Sequence, residues 1–262
     1  MTEHAPETPE TPDVTWFLAN ADHTLLSPAA TAAELAEFLD SARDLGVKRV
    51  CISPSQLPLT PETRADLQIV TVVGFPTGAH RPAVKAAEAA QAVADGADEI
   101  DMVVNRGLVS AGDWAGVEED IRAVRAACAG RVLKVILESA TLTEDEIVRC
   151  CRAAEAAGAD FVKTSTGFDA AGGASAEAVR IMADAVGERL GVKASGGIRT
   201  AEAVRELVAA GATRFGVSAT AAIVADWDRA PAVGEADAPA DRETHVPTDQ
   251  TPAAQAAQNQ AY

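Results

Sequence analysis

Cations are scarce in this sequence: 22 Lys plus Arg stand against 39 Asp plus Glu, a formal net charge of −17. Nucleic-acid binding rests on neutralising phosphates with clustered cations, so a chain this acidic is a poor holder of DNA, RNA or an anionic membrane surface. Cysteine is sparse too. Cys51, Cys128, Cys150 and Cys151 show no CxxC spacing and no metal-ligand pattern with the four histidines. Neither a disulfide framework nor a metal centre is expected, and a reducing, cytoplasmic setting follows as the simple expectation. No apolar run approaches the roughly 18 residues a membrane helix needs. The opening MTEHAPETPETPDV has no Lys or Arg and no apolar stretch of the secretory-signal kind. The chain has a single tyrosine, Tyr262, its last residue.

What is present is globular in composition: 48% hydrophobic and 23% charged, over 262 residues. That length fits one large α/β barrel or two ordinary domains. The ends differ from the middle. Residues 1–13 hold three prolines and four acids, and from Pro231 to Tyr262 come four more prolines with almost no large apolar side chain. Such segments bury too little surface to offset chain ordering. The expected organisation is a flexible segment over 1–13, one catalytic domain over 14–228 and a flexible acidic tail over 229–262.

The middle repeats one unit. Apolar, mostly β-branched runs lie at 48–53, 69–75, 98–104, 132–138, 160–165, 191–195 and 213–218, with a weaker one, TWFLANADHT, opening the series at 15–24. Between them, 31–46, 83–96, 114–128, 143–158 and 200–211 place apolar residues at helical spacing, with Thr starts and Gly stops. Eight strands alternating with helices imply parallel pairing through right-handed crossovers. An open nucleotide-binding sheet would carry a Gly-rich loop after its first strand, and ADHTLLSP is nothing like one. The fold expected is therefore α/β, a single (β/α)8 TIM barrel with its site at the C-terminal ends of the strands.

The chemistry is carried by charges inside those strands. Of only five lysines, Lys134, Lys163 and Lys193 fall within strands or at their ends, and Asp101 sits likewise inside EIDMVV. Each is separated from the next by about one βα repeat, so four consecutive strands deliver a charged side chain at similar height. A buried lysine is costly unless paired, and a purely structural network would be poorly served by several lysines against one aspartate. A free lysine, with a pKa near roughly 10.4, is protonated at neutral pH and not nucleophilic. Burial and a second cation both disfavour its charged form. The resulting amine can attack a carbonyl and form a Schiff base. The small glycine-containing loops STGF (165–168), SGGIRT (195–200) and RFGVSAT (214–220) read as an anion site of the type that loops after strands seven and eight build in such barrels.

These residues resemble deoxyribose-phosphate aldolase, a family of class I aldolases. The resemblance runs through DHTLL (22–26), VCISPS (50–55), VVGFPTG (72–78), GADEIDMVVN (96–105), LKVILES (133–139), ADFVKTSTGF (159–168), VKASGGIRT (192–200) and GATRFGVS (211–218), about 210 residues in order. It implies reversible cleavage of 2-deoxy-D-ribose 5-phosphate to glyceraldehyde 3-phosphate and acetaldehyde, with no metal or other cofactor. It further implies Lys163 as the Schiff-base former, Lys193 as the perturber of its pKa, and Asp101 as a proton relay acting with Lys193 and a water. Asp22, Thr24 and Lys134 match polar site positions, and Thr166, Gly167, Gly196, Gly197, Arg199, Gly216 and Ser218 the substrate and phosphate loops; Cys51 matches a site-wall position, and a plain buried thiol is the other reading of it. Some family members end in a tyrosine that helps protonate the enamine, which makes Tyr262 a candidate tail proton donor.

The sequence departs from the family at Ala219, where a second small hydroxyl residue usually follows the serine; Thr220 is the candidate compensation. His23 reads as a packed, hydrogen-bonded residue, His80 as a helix cap, and Trp16, Trp114 and Trp227 as packing anchors. The expected partner is a small phosphosugar, with no nucleic acid and no membrane, in a homodimer. Two other functions are consistent with the residues alone: a lysine-dependent barrel lyase acting on a different phosphorylated aldol, and a non-catalytic phosphosugar sensor, which would lose the reactive lysine or its aspartate.

Overall fold

The structure is a computed structural model that describes Pro9 and residues 11–227. The tail expected at 229–262, Tyr262 with it, and most of the segment expected at 1–13 lie outside the described residues.

Strands buried on both faces read as largely apolar runs, and most of the eight strands are written this way, the first (ADHTL) being the exception. The eight are β1 (Ala21–Leu25), β2 (Arg49–Ile52), β3 (Gln68–Val73), β4 (Glu99–Val103), β5 (Val132–Ile136), β6 (Phe161–Lys163), β7 (Gly191–Ser195) and β8 (Arg214–Val217). Each pairs in parallel with the next, and β8 closes against β1, giving a closed barrel in chain order. The (β/α)8 expectation is met.

Helices cover the outside of the barrel, and their sequences say where they start. Helix Ala32–Leu45 opens on a capping box: Glu34 N donates to Thr31 Oγ1 (3.2 Å) and Thr31 N to the Glu34 carboxylate (2.7 Å). Thr143 and Glu146 repeat the device at helix Glu144–Ala156. Leu35, Leu39 and Ala42 of the first of these helices, and Ile147, Cys150 and Ala154 of the second, are buried in the main core between helices and barrel. Cys150 and Cys151, adjacent on their helix, are both fully buried, and all four cysteines are free thiols.

Two readings change. The run at 15–24 is not one strand. Val14–Ala19 is a helix, capped by Asp13, whose carboxylate accepts from Trp16 N at 2.7 Å, and the strand begins at Ala21. The aromatic pair Trp16 and Phe17 packs on Phe215, and Phe17 also stacks on Trp227 at 5.3 Å. Burial of those rings outweighs their β preference. His80 does not cap helix Pro82–Ala94, whose N-cap is Arg81; His80 is exposed. Helix Ala176–Val186, capped by Ser175, fills the crossover between β6 and β7, where the periodicity had marked no element.

Candidate active site

Alternation along the strands sends every second side chain into the barrel. On β4 this puts Glu99 and Asp101 inside, and on β5 Lys134, whose Cα pairs with that of Asp101. Lys163, the last residue of β6, pairs with Lys193 of β7. Register alone does not place the four at one level: Lys134 pairs with Phe161, two residues before Lys163. The tilt of barrel strands offsets this stagger, and the three lysines converge on the one carboxylate of Asp101. Asp101 Oδ2 accepts from Lys163 Nζ and Lys193 Nζ, both at 2.8 Å, and Oδ1 accepts from Lys134 Nζ at 2.8 Å.

The layer beneath extends the network. Lys193 Nζ donates to Asp22 Oδ2 at 2.5 Å, and Lys134 Nζ lies 2.5 Å from Glu99 Oε2. Arg214, at the start of β8, bridges Asp22 Oδ1 (3.2 Å) and Glu99 Oε2 (3.3 Å), while Arg49 reaches Glu99 from the side at 3.4 Å. Glu99 and Arg214 were not singled out in the sequence. Their signal was a charge inside an apolar strand, and in Glu99 the two-residue spacing from Asp101 that puts both on the inner face.

Counting charges shows which lysine is different. Three buried carboxylates, Asp22, Glu99 and Asp101, are already matched by Lys134, Lys193 and Arg214. A proton on Lys163 has no carboxylate of its own and must share Asp101 Oδ2 with Lys193. Burial is the largest influence pushing the Lys163 ammonium below the usual lysine range, and although Asp101 opposes it, the Lys193 charge adds to it. Lys193 is driven the other way. Burial disfavours its charge, but Asp101 and Asp22 together overcome that and hold it protonated well above an ordinary lysine. Lys134 is likewise raised, against burial, by Asp101 and Glu99. Burial favours protonation of Asp101, yet the three ammonium groups keep it ionised far below the usual carboxylate range.

Above this cluster opens a cavity of about 290 Å³ with Lys163 at its floor. Its walls include Thr24, Thr166, Gly167, Gly196, Gly197, Arg199, Gly216 and Ser218, all expected at the site, together with Leu26, Ser27, Phe168 and Ser195. Asp22, Cys51, Asp101, Lys134 and Lys193 are not on the wall; all five are fully buried around and beneath the floor. Cys51 packs with Val70 and Val72, and burial pushes its thiol up to about 11. The structure therefore gives Asp22 and Lys134 a supporting place below the site, and Cys51 a buried one between Val70 and Val72 and the charges of the ion cluster.

The rim glycines answer two demands: left-handed backbone at Gly167 (φ 83°) and Gly197 (φ 79°), and close approach at Gly196 and Gly216. At Gly196 (φ 88°) a side chain would meet Gly173 Cα at 3.0 Å and Gly167 Cα at 3.5 Å, so the loops after β6 and β7 touch backbone to backbone. At Gly216 a Cβ would stand 3.1 Å from Lys193 Cε, so that glycine leaves room for the lysine. Arg199 brings an exposed cation to this rim. Thr220 does not compensate for Ala219: it is fully buried, its hydroxyl 2.7 Å from His23 Nδ1 and within reach of Val217 O. His23 also stacks on Phe38 at 4.4 Å, and burial lowers its pKa to about 4.

A parallel eight-stranded barrel whose C-terminal cavity has a lysine floor and a glycine rim is the architecture of an aldolase. Comparison with known proteins gives the family: the model of the DeoC/LacD family of aldolases matches residues 17–225, and the chain belongs to that family. It is 61% identical over 183 residues to a deoxyribose-phosphate aldolase of Kocuria rhizophila, covering 70% of this chain and 83% of the relative. It is 57% identical over 194 residues to one of Mycobacterium avium, covering 72% and 87%. Among solved structures, the deoxyribose phosphate aldolase of Aeropyrum pernix, described as a unique tetramer, superposes with a TM-score of 0.75 at 30% identity, over 82% of this chain and 92% of that one. The chain is thus an aldolase, a carbon–carbon lyase. Among the described residues, no helix is long and apolar enough to cross a membrane, and no group of three or more His, Cys, Asp and Glu could hold a metal ion.

Proposed function

We propose that this aldolase cleaves 2-deoxy-D-ribose 5-phosphate reversibly to glyceraldehyde 3-phosphate and acetaldehyde through a Schiff base at Lys163. The observation that carries the reading is the shared carboxylate oxygen: Lys163 and Lys193 both donate to Asp101 Oδ2 at 2.8 Å, and only Lys163 reaches the cavity. Two cations on one oxygen leave the one that reaches the cavity as the group that gives up its proton. The free Lys163 amine attacks C1 of the open-chain sugar, and loss of water gives the iminium. A proton leaves the C3 hydroxyl, the C2–C3 bond breaks, and its electrons flow into the iminium to form an enamine as glyceraldehyde 3-phosphate departs. Protonation at C2 and hydrolysis release acetaldehyde and restore the amine. In this reading Asp101, held between the lysines, and the Lys193 ammonium relay those protons with a water.

The phosphate end fits the glycine rim, where the loops bearing Gly167, Gly196, Gly197, Gly216 and Ser218 surround the cavity mouth and Arg199 offers a cation. The deciding experiment is intact mass after borohydride reduction with acetaldehyde, on the wild type and Lys163→Ala. One added ethyl group, absent in the variant, is expected. An unmodified wild type would exclude the Schiff-base reaction.

A further inference from the structure

Where β5 ends, the backbone does something costly. Glu138 stands at φ 60°, ψ 53°, in the left-handed region, one of only two non-glycine residues at positive φ among the described residues. A side chain other than Gly, Asn or Asp is held there only when its surroundings over-determine it. Glu138 is also buried, 1% exposed, and no cation pairs with it among the described residues. Its carboxylate instead accepts from both donors of one residue of the β6 loop: Thr166 N at 3.1 Å and Thr166 Oγ1 at 2.6 Å. With its proton given to Glu138, the Thr166 hydroxyl accepts from Phe168 N at 3.1 Å.

This changes what Thr166 does. It lines the cavity, but its hydroxyl hydrogen and its N–H are both committed to Glu138, so it has no donor left for a phosphate. What the pair fixes is the loop from Lys163 to Phe168, including Gly167, whose Cα faces Gly196 where the two rim loops meet. We propose that Glu138 is a positioning residue: by gripping Thr166 through two hydrogen bonds it sets the phosphate end of the cavity, while Lys163, held from below by Asp101, keeps its place without it. The inference rests on the deoxyribose-phosphate reading and deepens it.

A purely structural carboxylate would affect all substrates alike, whereas a residue that sets the phosphate end distinguishes them. For Glu138→Gln, which keeps the size but loses one acceptor, KM for 2-deoxyribose 5-phosphate is expected to rise about tenfold, the scale of one charge-assisted hydrogen bond. kcat stays within about threefold, and kcat/KM for unphosphorylated 2-deoxyribose is unchanged within the same margin. Thr166→Val should raise KM for the phosphorylated sugar by a similar factor, and the double variant should be no worse than the poorer single, because the two act as one unit. If Glu138→Gln fails to fold, Thr166→Val alone decides. Equal losses on both substrates, or no loss on either, would overturn the proposal. Failure of the wild type to trap acetaldehyde would instead strike at the Schiff-base reading on which it stands.

Discussion

At the scale of single residues, the site is an exercise in charge sharing. Lys163 and Lys193 are the same side chain a strand apart, and their protonation is pushed in opposite directions by what else touches them. Lys193 has two carboxylates, Asp101 and Asp22, while Lys163 has a share of one. Removing the Lys193 charge therefore acts on Lys163 twice: it lifts a repulsion and leaves Asp101 Oδ2 to Lys163 alone, Oδ1 staying with Lys134. Both raise the Lys163 pKa and reduce the free amine at neutral pH. In Lys193→Met the rate of acetaldehyde trapping by borohydride should fall at pH 7, and its rise with pH should move upward by at least about one unit. An unmoved profile would show that Lys193 does not set the charge of Lys163.

Elements bring these side chains to their places, and two buried polar groups tie the elements down. Lys85, on helix Pro82–Ala94, is fully buried; its Nζ donates to Asp120 Oδ2 at 2.7 Å and to Val103 O at 2.8 Å. Asp120, on helix Trp114–Ala127, also accepts from Asn105 N at 3.2 Å. The pair joins two neighbouring helices to the C-terminal end of β4, two residues beyond Asp101. Removing one partner strands the other's charge, so Asp120→Asn or Lys85→Met should cost about 3–5 kcal/mol in urea unfolding, and replacing both by apolar residues should recover part of that. The second tie is His23, which links β1 to helix Ala32–Leu45 through Ser41 and Phe38, and to helix Thr220–Trp227 through Thr220. Its pKa is depressed in the fold to about 4, so the unfolded chain takes up a proton near pH 6.5 that the folded one refuses. The stability it contributes is complete above about pH 6.5 and drains away as pH falls towards 4, by about 3 kcal/mol at most. Urea midpoints of the wild type and His23→Gln between pH 7 and 4.5 should differ by that slope; parallel curves would refute it.

At the scale of the whole molecule, the barrel gathers residues from positions 22 to 218 around one cavity, and the chain continues beyond the described residues to its only tyrosine. We propose Tyr262 as the donor that protonates the enamine, a phenol being suited to that transfer. Its deletion should slow exchange of the acetaldehyde methyl protons with deuterated solvent several-fold while leaving borohydride trapping at Lys163 intact; unchanged exchange would remove Tyr262 from the reaction. The net charge of −17 belongs to this scale as well. Residues 1–13 and the stretch after Asp226 carry an outsized part of it, and the charges of the site largely cancel among themselves, so the acidity is a surface property apart from the chemistry.

By itself the sequence determined the architecture and the identity of the reactive groups. Parallel strands buried on both faces must be written as apolar runs, so a lysine or aspartate inside one stands out, and glycine loops after strands stand out for the same reason. What it did not determine is how those groups divide the work. That Asp22, Cys51 and Lys134 lie beneath the floor and off the wall, that Glu99 and Arg214 complete the ion network, that Thr166 spends its donors on Glu138 and Thr220 on the interior around His23: each depends on contacts between residues tens to nearly two hundred positions apart. The aromatic run at 14–19 became a helix because its rings are buried against Phe215 and Trp227, partners that no local propensity contains. Chemistry was legible because a charge in an apolar strand is costly wherever it sits; its allocation was not, because hydrogen bonds and desolvation are set by what the closed barrel brings within 3 Å.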